Sequence, residues 1–326
     1  MQNRIKVQLE LFERRYLDDV VDLWNLVFKG RRYFYPMSRE RFEKYILKNR
    51  DFNLEGCVVA VSKSRVVGFG LAVIRSSGDY KLDINDLPGF ISILFVSPEF
   101  RHKGVGTMIL NFLEGFILES GKGESQVGYP YNPICFSPGV DMSTYAFRFF
   151  LNRGYRLKAA SLHMELNLKD FYLREKISRY LETHRRMGIT YRICNEKDRE
   201  SLYKLMDHFP GWYSRVREAL ESESPREVLV AVHHTKVIGF VGPIWLDDRR
   251  GCFTGIGVHP QYRRRKIGTV LFNLLCSKLK EMGASYITLH TGTSNPAQEI
   301  YFDAGFKVKS VWATKMLKRL KGCGDK

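Results

Sequence analysis

The chain has 326 residues, 44% of them hydrophobic and 27% charged, a balance that excludes a disordered or fibrous protein and, at this length, predicts two domains. With 52 Lys and Arg against 35 Asp and Glu, the formal charge of +17 predicts attraction to polyanions such as a nucleotide cofactor, an acidic substrate or nucleic acid. The longest apolar stretches, such as Gly89 to Val96, are strand-sized, and Met1 to Lys6 carries no apolar signal core. No membrane partner and a cytoplasmic location are therefore expected.

The charge is distributed. Basic doublets at Arg14-Arg15, Arg31-Arg32, Arg185-Arg186 and Arg249-Arg250 come without a basic tail or an aromatic-interleaved motif, so a generally basic surface ranks above specific nucleic-acid binding. Six cysteines (Cys57, Cys135, Cys194, Cys252, Cys276 and Cys323) show no Cys-x-x-Cys pair and no histidine at ligand spacing; they read as reduced thiols, with no metal site.

In chain order, Val58 to Phe69 alternates as a β-hairpin with Ser62 to Arg65 as its turn. A strand follows at Phe90 to Val96, then the turn Ser97-Pro98-Glu99-Phe100 and the segment Arg101-His102-Lys103-Gly104-Val105-Gly106-Thr107. Apolar spacing at Ile109, Phe112, Leu113, Phe116 and Ile117 predicts an amphipathic helix ending near Gly121. One more strand, a further helix and the pair Gly154-Tyr155 complete this first unit. Leu168 to Met187 is charged but keeps Phe171, Leu173, Ile177, Tyr180 and Leu181 apolar, which predicts a connecting helix between domains at 1–167 and 188–326.

The same order then repeats. Leu229 to Phe240 is a hairpin and Phe253 to Val258 a strand; His259-Pro260-Gln261-Tyr262 turns into Arg263-Arg264-Arg265-Lys266-Ile267-Gly268-Thr269. Leu271, Leu274, Leu275 and Leu279 mark the helix, Gly283 its end, and Gly305-Phe306 the closing pair. The expected fold class is α/β (α+β): two domains of like topology, each a mixed, mostly antiparallel sheet flanked by helices, in a monomer whose halves form a pseudo-dimer.

A glycine loop between a strand and a helix suits an anion, because glycines let a phosphate approach the free N–H groups and positive dipole of the helix start. Arg101 and Lys103 add charge, and Thr107 can donate from its hydroxyl. Glycines also serve at such turns simply to avoid crowding. Val96 to Gly106 resembles the signature of the GCN5-related N-acetyltransferase (GNAT) superfamily, an Arg/Gln-x-x-Gly-x-Gly/Ala loop, and the duplicated arrangement is similar to mycothiol-synthase-type tandem acetyltransferases. The resemblance implies coenzyme A binding by Arg101, His102, Lys103, Gly104, Val105, Gly106 and Thr107, with Leu94, Phe95 and Val96 offering backbone groups to the pantetheine arm. In the second copy it implies Ile256, Gly257 and Val258 with Arg263, Arg264, Arg265, Lys266, Ile267, Gly268 and Thr269. Lys266 there replaces the first glycine of the motif.

Superfamily members often use a tyrosine near the end of the chain to protonate the departing thiolate. Ser294 to Phe306 resembles the segment that presents it, which implies Tyr301 as the acid and Asn295 and Tyr301 as donor contacts, whereas Phe150 holds the corresponding place before Gly154. His290, at the end of a strand, has a pKa range suited to general-base work, and so is the candidate base beside a plain structural reading. Asp141 is the comparable group in the first copy, or an acidic helix cap. The resemblance thus implies an acetyl-CoA-dependent N-acetyltransferase acting on a small-molecule or peptide amine. Its rivals are a non-catalytic acyl-CoA-binding module and a nucleic-acid-associated protein. Acceptor pockets are expected in Tyr33 to Arg50 and His208 to Glu221.

Overall fold

The computed structural model describes residues 6–30, 36–76, 83–128 and 139–320. Arg31, Arg32, Tyr33, Cys135 and Cys323, named above, lie outside these residues. The described chain divides into two compact units, one comprising residues up to 160 together with 311–320, the other 161–310.

In the first unit, β1 (Gln8–Leu11), β2 (Cys57–Ser62), β3 (Arg65–Val73) and β4 (Gly89–Val96) pair antiparallel in sequence order. The β2–β3 turn has positive φ at both Lys63 and Ser64, the twist-matching geometry of a two-residue hairpin. Beyond β4 comes β5 (Glu124–Val127), which is parallel to it only at Gly89, Phe90 and Ile91. The sheet is completed by β13 (Lys307–Arg319), whose Met316 to Arg319 pair antiparallel with β5 and whose Trp312 and Ala313 pair with the short β6 (Val140–Asp141). Helix α1 (Leu17–Phe28) buries Leu17, Val20, Leu23 and Trp24 on one sheet face. Helix α3 (Val105–Glu119) buries Ile109, Leu113, Phe116 and Ile117 on the other. Each such side chain contributes ~1.5–3 kcal/mol. The short α2 (Arg39–Phe42) lies beside α1, and α4 (Tyr145–Leu151) follows β6.

In the second unit the order is β8 (Ile189–Ile193), β9 (Leu229–His233), β10 (Lys236–Asp247), β11 (Arg250–Val258), β12 (Tyr286–Gly292) and then β7 (Arg156–Asn167), whose Ser161 to Asn167 pair antiparallel with β12. Helix α8 (Ile267–Glu281) packs Leu271, Leu275 and Leu279 on one face. On the other lie α6 (Arg199–Met206) and α7 (Pro210–Glu221), around Leu202, Val216 and Phe240. Short α9 (Gln298–Asp303) precedes β13.

Two features depart from the domain limits expected above. The last sheet strand of each unit comes from the other half of the sequence, so residues 311–320 belong to the first unit. The connecting helix, α5 (Glu175–Arg186), is part of the second: its Ile177 and His184 are buried, and Lys176 pairs with Asp303. Sequence patterning finds these segments but not their strand partners, because pairing is set by tertiary contacts far along the chain.

Candidate functional site

In the first unit the site begins where two strands part. β4 and β5 pair no further than Ile91 and Val127, and at that point β4 carries one extra residue, Ser92, opposite Leu71 and Ala72. Such bulges bend a strand and increase its twist. The divergence opens a cavity of about 630 Å³, lined among others by Leu94, Phe95, Val96, Arg101, His102, Gly104, Gly106 and Thr107.

The segment after β4 is held by its own hydrogen bonds. Arg101 Nε donates to Val96 O at 3.2 Å, which closes the turn. Gly104, the N-cap of α3, has φ +85, and a Cβ there would meet no atom within 4 Å. The first α3 bonds run from Thr107 N and Met108 N to Gly104 O, at 2.9 and 3.0 Å. The N–H groups of Val105 and Gly106 precede them at the positive end of the helix dipole. Phosphate fits this cradle: donors, left-handed backbone and open space coincide. Two of the side chains in this segment point elsewhere. Val105 has its side chain in the core, 1% exposed, because the first helical turn points it at the sheet, and Lys103 lies over the Phe100 ring at 5.6 Å.

Aromatic rings form the rest of the wall. Trp24 and Phe28 of α1 meet Phe95 edge-on at 5.7 and 5.6 Å, and Phe149, Phe150 and Trp312 line the opposite side. Phe150 packs against Tyr155 at 5.3 Å and has no hydroxyl. Asp141 also lines the cavity; its Oδ1 accepts from Ser143 N and Oγ at 2.9 and 2.7 Å, so it caps a local turn while Thr144 is the N-cap of α4. The sequence reading missed Arg153, whose side chain enters this wall, and its signal was a cation one residue before Gly154 where the second copy has Ala304.

The second unit repeats the path with different side chains. β11 and β12 pair only at Arg250–Gly251 with Tyr286–Ile287. Arg263 Nε donates to Val258 O at 3.2 Å, as Arg101 does to Val96. Lys266 takes the left-handed cap position with φ +62, and Arg264 matches His102 at φ +63 and +60. The lysine therefore keeps the loop's course. His184 Nε2 donates to Arg265 O at 2.8 Å while Tyr191 donates to His184 Nδ1 at 2.6 Å, pinning the loop to α5. Ile267 and Thr269 are buried, at 1% and 6% exposure. Beside Gly257, Phe209 and Phe240 stand 2.6 Å from where a Cβ would be, and Trp212 stands equally close over Gly255. Here Phe209 and Trp212, at the start of α7, and Phe240 of β10 occupy the places where β4 has Phe95 and Ile93. Ile256 and Val258 pack against the α8-side core.

Asn295 Oδ1 accepts from Ala297 N at 3.0 Å and so shapes the start of α9. Tyr301 of α9 is 6% exposed and meets Phe272 edge-on at 4.8 Å; burial raises its hydroxyl pKa to about 12. His290 pairs with His163 across β12 and β7, Nε2 to Nδ1 at 3.1 Å. Burial, reinforced by the neighbouring His163 and Arg250, lowers its pKa to about 3. Ile287 and Leu289 face the α8-side core that holds Tyr301, so strand alternation puts His290 on the opposite face. The structure does not bring Tyr301 and His290 side by side. Among the described residues, no group of three or more His, Cys, Asp or Glu side chains is arranged to hold a metal ion, and no helix is long and apolar enough to cross a membrane.

A strand pair that parts beside a basic, left-handed loop and a helix N-terminus, present twice, defines a tandem acyltransferase architecture. Residues 17–128 and 192–306 each match the Acetyltransferase (GNAT) family, and the chain belongs to that family. A search of curated protein sequences gives no match. Among solved structures, the fold is similar to the GCN5-related glucosamine N-acetyltransferase region of a fungal multi-domain GH3 β-N-acetylglucosaminidase, at 21% identity and TM-score 0.75, over 96% of this chain and 38% of that longer one. It is also similar to a GCN5-related N-acetyltransferase from Sphaerobacter thermophilus (17% identity, TM-score 0.69, 97% and 95% covered) and to a tandem GNAT protein from the clavulanic acid biosynthesis pathway (14%, 0.65, 96% and 98%). At these identities the likeness is one of fold.

Proposed function

We propose that the chain is an acetyl-CoA-dependent N-acetyltransferase, with its donor site in the first unit and a second site of altered chemistry in the other. The observation that carries the reading is the first-unit cavity, where the Arg101 to Thr107 loop opens onto the parting of β4 and β5. Acetyl-CoA supplies the activated thioester; the residues of this chain bind, orient and move protons. The Val105 and Gly106 N–H groups take the pyrophosphate, and the free edge of Leu94 to Val96 lies along the pantetheine arm. Acyl transfer joins the amine nitrogen to the carbonyl carbon, breaks the carbon–sulfur bond, releases one amine proton and leaves a thiolate to be protonated.

For a transfer in the second site, the hydroxyl that serves that thiolate is that of Tyr301, which the first unit replaces with Phe150. With a pKa near 12, Tyr301 stays protonated at neutral pH and is a weaker acid than a thiol, about 8.5, so it hydrogen-bonds to the developing thiolate while the proton the thiolate takes comes from solvent. His290, with a pKa near 3, stays neutral and pairs with His163 on the face of β12 away from Tyr301, so water takes the amine proton. The first unit, with Phe150 in that place, favours a second reading for itself as a non-catalytic acyl-CoA-binding module. The acceptor is an amine, and an amino sugar is a natural first trial because the fungal neighbour is named for glucosamine.

Acetyl-CoA titrated calorimetrically into Gly104→Asp and Lys266→Asp proteins tests the two loops separately. Asp tolerates the left-handed cap, so its charge is the operative change. Gly104→Asp is expected to weaken binding at least tenfold; if neither substitution weakens it, the loop assignment fails. Turnover over an amine panel that includes glucosamine should fall about 10²-fold in Tyr301→Phe, and unchanged rates would remove the tyrosine from the mechanism.

A further inference from the structure

The first-unit cavity contains a cation whose arrangement has no counterpart in the second unit. Arg153 follows α4 and folds back over it: Nη1 donates to Phe149 O at 2.9 Å, Nη2 donates to Thr107 Oγ1, and the guanidinium carbon lies 3.7 Å from the centroid of the Phe149 ring. The group is thus fixed on three sides by neutral partners. No carboxylate pairs with it among the described residues, and its Nε is buried without a hydrogen bond there. A guanidinium stays charged at all working pH values, and a buried donor without an acceptor is costly. An arrangement of this kind suits an anion that arrives with a ligand.

Thr107 links the group to the loop. Its N–H is used by Gly104 O and its Oγ1 accepts from Arg153, so its hydroxyl hydrogen is directed elsewhere and is available to a phosphate oxygen. Gly106 lies against the same Phe149 ring, which a Cβ at that position would meet at 3.3 Å. Phe149 is therefore the common floor under the loop and the guanidinium. In the second unit Ile300 lies under Gly268 and Ala304 replaces the arginine.

We infer that Arg153 is a specificity residue for the donor: its guanidinium, with the Thr107 hydroxyl, pairs with a phosphate of coenzyme A. This rests on the reading of the first unit as the donor site. Coenzyme A offers two phosphate sources, the pyrophosphate and the ribose 3′-phosphate, and both present the oxygens that an arginine fork recognises. The pairing makes the first unit the tighter of the two sites and ties its affinity to phosphate rather than to the pantetheine arm.

The experiment measures binding of coenzyme A, dephospho-coenzyme A and pantetheine in the full chain carrying Lys266→Asp, which isolates the first site. Arg153→Gln should weaken coenzyme A about 10-fold to 100-fold and leave pantetheine unchanged. Thr107→Val should give a smaller loss of the same pattern, and Arg153→Lys, which keeps the charge without the fork, an intermediate one. Should Arg153→Gln not fold, as thermal melting of the ligand-free protein would show, the other two variants carry the test. If the loss vanishes with dephospho-coenzyme A, Arg153 reads the 3′-phosphate; if it persists, it reads the pyrophosphate. Unchanged coenzyme A affinity in the folded variants, or an equal loss for pantetheine, overturns the inference. Failure of the Lys266→Asp parent to bind coenzyme A at all would instead overturn the donor-site reading.

Discussion

Residues at matching places in the two units differ in single side chains with separate physical consequences. Gly104 and Lys266 hold the same left-handed cap, a conformation that costs a residue with a Cβ ~1–2 kcal/mol. Lys266→Gly should therefore stabilise the second unit by ~0.5–1 kcal/mol, once the greater chain entropy of unfolded glycine is set against the relief; a urea midpoint shift measures it. His290 provides a second check. Its folded pKa lies near 3, below the ordinary value of ~6.5, so the unfolded chain binds the proton first as the pH drops. Stability is unaffected above 6.5 and is lost between 6.5 and 3, by ~1.4 kcal/mol per pH unit. Between pH 7 and 5 the wild type should lose about 2 kcal/mol more than His290→Gln, by denaturant titration at each pH. The contrast of Tyr301 with Phe150 and of Gly104 with Lys266 is legible in the sequence because each follows from aligning a repeat with itself. The His163 partner of His290 and the stacking of Arg153 on Phe149 are not, since both depend on which side chains the sheet and helix faces bring together.

Elements were legible wherever their determinants are local. The hairpins at 57–73 and 229–247, the helices α3 and α8 and the loops before them follow from alternation, helical spacing and turn residues. The exchange of closing strands does not, because β7 and β13 each read as the last strand of their own repeat. Its energetic consequence is large. β13 supplies the buried Trp312, Ala313 and Met316 to the first unit, and its Lys318 pairs with Glu114 of α3 at 2.7 Å, where Glu114 also accepts from the buried Tyr155 hydroxyl. Loss of a buried Met or Trp costs ~2–5 kcal/mol each, comparable in sum with the whole stability of a domain, ~5–15 kcal/mol. A fragment of residues 1–167 should therefore show no cooperative thermal transition, although it contains a complete-looking repeat. Linking residues 307–320 to it should restore one. A cooperative transition in the shorter fragment would show that β5 does without its partner.

For the molecule as a whole, the charge of +17 bears on the nucleic-acid reading. Many of its cations are already paired: Arg39 with Asp18, Arg185 and Arg186 with Glu182, Arg192 with Asp198, and Arg217 with Glu221. These pairs cancel cations against carboxylates and leave the excess, whose basic doublets are spread along the sequence without a basic tail; that spread favours a general field over a specific site. Such a field attracts DNA through counterion release, with no dependence on base sequence and with an affinity that falls steeply with salt. The proposed donor site differs, since the groups lining it combine N–H groups, an ordered guanidinium and an apolar wall, which salt screens much less. Fluorescence anisotropy with mixed-sequence DNA should accordingly show binding at 50 mM salt that is lost by about 200 mM, while acetyl-CoA affinity falls less than tenfold over the same range. A DNA complex that prefers one sequence and survives 200 mM salt would make nucleic acid a specific ligand and reverse the order of the two readings.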